Sequence, residues 1–308
     1  MKFIYTYIFL IFFTSIITAD MIGENRVIIS GDLMKRKNWN NQEMPSFLDS
    51  ILFRGGNKFV LKGNLAEKIG GQIFTVSVGY KAADDSQTTV VDYKEEAYIL
   101  SSSNFTIGVN SPLDRVEPTT PIKFNMSGGR IVCAQFIIGG APTDEKFGLS
   151  NVEFNMTGGT VRAKRLYTGY GTAPSIINFT GGKILLGSIE DLVNYDYDEY
   201  YKPGDNSFSI NVGELSQPTI NWSILSRDYT QIIIEQGTRA NNNFRNTIVN
   251  FNLSLLRRPI ELPLIDNRGT GMISDANVTF NFHQLASDLK AEVTKGDGND
   301  WILSITKK

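Results

Sequence analysis

Apolar and polar residues alternate strictly at three places in the middle of the chain. Phe124 and Met126 alternate with Asn125 and Ser127, Phe154 and Met156 with Asn155 and Thr157, and Ile177 and Phe179 with Asn178 and Thr180. A period of two predicts strands with one buried face. Each run is cut by a glycine pair, at Gly128-Gly129, Gly158-Gly159 and Gly181-Gly182, then resumes at Ile131, Val161 and Ile184. Met126 to Ile131 is an odd step, so the chain must bend or bulge at the glycines to return Ile131 to the inner face. Each copy therefore reads as strand, corner, strand. The copies recur at steps of 30 and 23 residues, a spacing that points to stacked units sharing a continuous core. The residues predicted to point inward are Phe124, Met126, Ile131, Cys133, Phe154, Met156, Val161, Ala163, Ile177, Phe179, Ile184 and Leu186.

Further strands are predicted at 73–78, 88–93, 208–212, 219–222, 231–234, 247–251, 278–282 and 300–305. Helical spacing is scarce, and its only candidates are short, at 43–53 and 284–293. Residues 20–60 read as an irregular, polar N-terminal cap. Residues 190–207 read as a loop insertion between strands.

The Asn/Thr-Gly-Gly units resemble the coils of bacterial secreted β-helix proteins, especially autotransporter-passenger-like and adhesin-like chains. The closing stretch adds to the likeness, with Pro259-Ile260-Glu261-Leu262-Pro263-Leu264-Ile265-Asp266, then Gly269 and Gly271, then Trp301-Ile302-Leu303. The expected fold is all-β, a right-handed parallel β-helix (β-solenoid) with N- and C-terminal caps, forming one unit over 20–308. An antiparallel β-sandwich is the rival. The resemblance implies adhesion, display or another surface role. The chain after Ile265 is too short for the membrane barrel that ends a classical autotransporter.

The N-terminus carries Lys2, an apolar run from Phe3 to Ile17 and small residues ending at Ala19. That pattern predicts a signal peptide over 1–19, hence a secreted or cell-surface protein with no transmembrane segment in the mature chain. Without those residues the chain has 29 basic against 32 acidic residues, net −3. This is no footprint for nucleic acid. One cysteine excludes an internal disulfide, and one histidine, His283, leaves few routes to zinc or triad chemistry. Cys133 aligns with Ala163 and Leu186 and reads as a small core residue. His283 falls on the outward phase.

The densest candidate chemistry is the 190–207 insertion. Asp196, Asp198, Glu199 and Asp205 offer oxygen ligands for Ca²⁺. Tyr195, Tyr197, Tyr200 and Tyr201 offer apolar ring faces for sugars. No other cofactor is expected. Outward-phase Arg130, Arg162, Lys164 and Lys183, with neighbouring Arg165, form a basic set suited to an anionic glycan, with neutral exceptions at Thr160, Val132 and Leu185. The leading expectation is a non-catalytic surface or secreted binding module whose partners are glycans or cell-surface components. The alternative is a polysaccharide lyase or glycoside hydrolase using such basic and acidic groups. Seven Asn-x-Ser/Thr sequons, at Asn104, Asn125, Asn155, Asn178, Asn221, Asn252 and Asn277, read as a by-product of the strand pattern.

Overall fold

The computed structural model describes residues 24–80, 87–108, 121–139, 151–168, 175–187, 189, 209–213, 217–225, 228–235, 242–268, 273–274, 277–296 and 300–308. The signal-peptide segment, the 190–207 insertion and both candidate groups within that insertion lie outside them.

The chain is all-β and its strands pair mostly in parallel, each with a strand one turn further along. Three columns of strands follow from the register. The first contains Lys58–Leu61, Thr89–Tyr93, the starts of Ile122–Ile138, Val152–Thr168 and Ser175–Leu186, then Thr219–Ser223, Ile248–Asn252 and Thr279–His283. The second runs from the start of Tyr98–Ile107 through the middles of the next two long strands. It continues with the end of Ser175–Leu186, Gln231–Ile234 and Ile260–Asn267. The third begins at Asn25–Ile28, Ser50–Arg54 and Val76–Tyr80, and ends at Ser209–Val212, Asn242–Phe244 and Ile273–Ser274. This pairing is consistent with a β-solenoid and departs from the antiparallel rival. The antiparallel partners of Trp301–Lys307 are Ile260–Asn267 and Leu289–Lys295.

The three patterned segments stack in register. Phe124 lies beside Phe154 and Phe154 beside Ile177, while Ile131, Val161 and Ile184 align in turn. The register slips locally at the glycines and returns to the same offset beyond them. The second glycine of each pair has positive φ, 72° at Gly129, 84° at Gly159 and 90° at Gly182, a conformation that costs glycine little. The first is needed for close approach. A Cβ on Gly158 would fall 2.5 Å from the Ser127 carbonyl oxygen, and one on Gly181 2.6 Å from that of Thr157.

All twelve residues predicted to point inward are buried. Aromatic rings run through the core from coil to coil. Phe124 meets Phe105 and Phe154, and Trp222 lies between Phe179 and Phe251. Val132, on the opposite phase from Ile131, is buried as well.

Two helical expectations are corrected. Residues 284–293 contain no helix and lead into the strand Leu289–Lys295. Residues 43–53 lead into the strand Ser50–Arg54. The α-helix among the described residues is Leu65–Ile69, where Asn64 accepts a hydrogen bond from the Glu67 amide and Gly70 closes the end at φ 75°. The stretch before residue 60, read as irregular, already supplies strands to two columns.

Candidate functional site

The outward face of the first column carries a continuous polar ladder. Asn125 donates to Asp92, Asn155 to Asn125, Asn178 to Asn155, Asn221 to Asn178, Asn250 to Asn221 and Asn281 to Asn250, at 2.5–2.9 Å. Every bond runs from Nδ2 to the oxygen of the previous coil. Four of the seven sequon asparagines, Asn125, Asn155, Asn178 and Asn221, are thus ladder members. Asn155 also donates to Glu153, which accepts from Lys123 at 3.0 Å. Partial burial pushes the Glu153 carboxyl up, but the bonds from Asn155 and Lys123 and the charge of Lys123 hold it below its ordinary range. A shallow cavity of about 380 Å³ lies on this face, rimmed by Lys94, Lys123 and Glu153.

A larger depression, about 550 Å³, lies at the glycine corner between the first and second columns. Its lining is Gly159, Thr160, Gly182, Lys183, Asp228, Tyr229 and Gln231. The paired glycines leave room because they carry no side chains. The facing wall is held by its neighbours. Thr230 donates its hydroxyl to the Gly181 carbonyl at 2.9 Å, and its own carbonyl accepts from the Trp222 indole at 2.9 Å. These bonds bring Asp228 and Tyr229 over the corner. The Tyr229 hydroxyl donates to the Pro263 carbonyl at 2.9 Å, and Gln231 reaches the same oxygen at 3.4 Å. Burial pushes the Tyr229 phenol up to about 12, so it stays protonated as a donor. Lys183 is exposed, in the rung beside Gln231.

The four basic candidates separate. Arg130, Thr160 and Lys183 share one outward row on consecutive coils, so Arg130 and Lys183 are two strand spacings apart, about 10 Å. Arg130 is exposed, with its guanidinium carbon 5.7 Å from the centroid of the Tyr98 ring. Arg162 is engaged elsewhere, in a 2.8 Å ion pair with Glu235. Glu235 reaches Arg162 across Gly187, where a Cβ would lie 2.9 Å from Glu235 Cγ. Lys164 is half-buried one residue pair further along. Only Lys183 of the four lines the corner depression.

The two lone reactive types behave as ordinary residues. Cys133 is fully buried, and burial pushes its thiol up. His283 is exposed at the end of its strand. Among the described residues no group of three or more His, Cys, Asp or Glu side chains is placed to hold a metal ion. Among the same residues no helix is long and apolar enough to cross a membrane.

Asp228, Tyr229 and Gln231 are the residues that sequence reasoning missed. The earlier copies turn this corner with a glycine pair, whereas the sequence between the strands Thr219–Ser223 and Gln231–Ile234 contains no glycine. A tyrosine at that substituted corner is the signal that was available. Compared with known proteins, the chain matches no family model, no curated protein and no solved structure.

Proposed function

We propose that this chain is a secreted or cell-surface binding and structural module, adhesin-like and non-catalytic. Its fold would be a right-handed β-solenoid, with the residues before the first full coil and the terminal antiparallel pair serving as caps. The observation that carries the reading is the corner depression, where one exposed cation, a fixed tyrosine ring and several polar groups converge on a rigid stack. Thr160, Lys183 and Gln231 stand on strands, which hold their geometry better than loops, and Tyr229, just before Gln231, is tied to the Pro263 carbonyl. The ladder supports the structural half of the reading, since the amides of one face are largely spent on each other.

The likeness of the glycine units to autotransporter-passenger coils fits export and display. The predicted signal peptide fits the same route. The test is a glycan array run beside a depolymerisation assay on the same panel of polysaccharides. Binding without loss of chain length is the expected result. Release of shortened or unsaturated products would overturn the non-catalytic reading in favour of a lyase or hydrolase.

A further inference from the structure

We infer that the corner depression is a subsite for an acidic sugar, a pyranose carrying a carboxylate within a polysaccharide. The inference rests on the binding-module reading and adds a place and a ligand class to it.

The first argument is shape. About 550 Å³ falls within the ~300–1,000 Å³ typical of small-ligand sites, and the depression opens to the surface rather than closing into the core. An open depression of this size has room for one or two sugar residues.

The second is the wall. Tyr229 offers an apolar ring whose orientation is fixed by its bond to the Pro263 carbonyl. A fixed aromatic gives contact area to sugar C–H groups with little entropy left to lose on binding. Its hydroxyl is committed to Pro263, so it serves as a platform.

The third is charge. Lys183 is exposed at the rim, in the row that also holds Gln231 and Thr160. An ammonium on a flexible stem recognises a carboxylate as a point charge without demanding one geometry. Asp228 also lines the depression. Gln231 and Thr160 add amide and hydroxyl groups. A uronic acid presents all three complementary features: an apolar ring face, a carboxylate and vicinal hydroxyls.

Arg130, two rungs along the same outward row, extends the argument to a polymer. About 10 Å, two strand spacings, separates the two residues' backbone positions along the stack, the reach of roughly two sugar residues. A chain lying along the coil axis would place a second carboxylate near Arg130.

The probe is oligogalacturonate of four to six residues, with the neutral galactose oligomer of equal length as control, measured by calorimetry at low and moderate salt. The full mature chain and the variants Lys183→Gln, Tyr229→Phe, Tyr229→Ala and Arg130→Gln are compared, with thermal melts checking each fold. The acidic oligomer is expected to bind and the neutral one to bind at least about fivefold more weakly, a difference that shrinks with salt. Lys183→Gln should weaken the acidic oligomer about fivefold. Tyr229→Ala should weaken both about tenfold, and Tyr229→Phe, which keeps the ring but loses its tie to Pro263, should weaken both by less, about twofold. Arg130→Gln should affect the longer oligomer only. If a glycan binds but Lys183→Gln and Tyr229→Ala leave its affinity unchanged, the subsite is wrong while the binding-module reading stands. Equal affinity for neutral and acidic oligomers overturns the acidic class. If the wild-type chain shortens the oligomer instead of holding it, the module reading itself fails.

Discussion

Replacing Asn155 by alanine removes three hydrogen bonds at once: its donation to Asn125, the donation it receives from Asn178, and its bond to Glu153. Asn281 stands at the end of the same ladder and gives only its donation to Asn250. At about 1 kcal/mol net per bond, Asn155→Ala should cost about 3 kcal/mol and Asn281→Ala about 1. Bonds that polarise one another along a row would widen the gap further. The ladder is half-buried, so water can replace some of what is lost, and the single-site values are upper figures. The contrast of about 2 kcal/mol between the sites is the quantity that tests the idea. Urea unfolding followed by far-ultraviolet circular dichroism, with coincident fluorescence of the buried tryptophans, measures it. Stacked-coil proteins can unfold in steps, so the two probes must first be shown to agree for each variant. Equal destabilisation at the two positions would mean that the ladder is an ornament of strand register and carries no energy of its own.

Phe154 is fully buried against Phe124 and Phe136, and Phe154→Ala should cost about 3–5 kcal/mol in the same assay; a loss below about 1 would show that the stack closes over the hole. Cys133 should resist iodoacetamide in the native chain and react once the protein is unfolded in guanidinium, because its thiol is buried and pushed up; rapid labelling of native protein would contradict its placement. Glu153 has a depressed folded-state pKa. Its contribution is therefore present above the ordinary glutamate value of about 4.3 and lost as pH falls through the lower folded value. Glu153→Gln should accordingly flatten the decline of stability that begins below about pH 4.3, read from urea midpoints at successive pH values.

The strand-corner-strand units were legible because three local signals coincide in them: alternation, a glycine pair and a β-branched residue at an odd offset. Their burial then followed without tertiary information. Residues 284–293 misled because Leu289-Lys290-Ala291-Glu292-Val293 satisfies both periods. Lysine, alanine and glutamate are good helix formers, while Leu289, Ala291 and Val293 also alternate. Pairing with Trp301–Lys307 decides between them, and no local rule contains that pairing. Lys183 was legible as an outward base for the same reason that Ile184 was legible as core. Tyr229 was not, because its nearness to Lys183 comes from the rung joining 183 to 231. Arg162 shows the converse. Its phase was read correctly, but its engagement depends on Glu235, 73 residues away, reaching over a glycine.

Successive members of the asparagine ladder are 33, 30, 23, 43, 29 and 31 residues apart in sequence, yet each advance is one rung. Distance along the chain and distance along the axis are thus uncoupled. Segments between rungs can lengthen or shorten by twenty residues without moving any ladder side chain relative to its neighbour. Descent can therefore edit what a coil displays at its margins while the coordinate system of the face stays fixed. The same uncoupling makes whole rungs the natural unit of duplication or loss, so kindred chains would be expected to differ by complete coils and by the length of their excursions, and seldom by a shift in register.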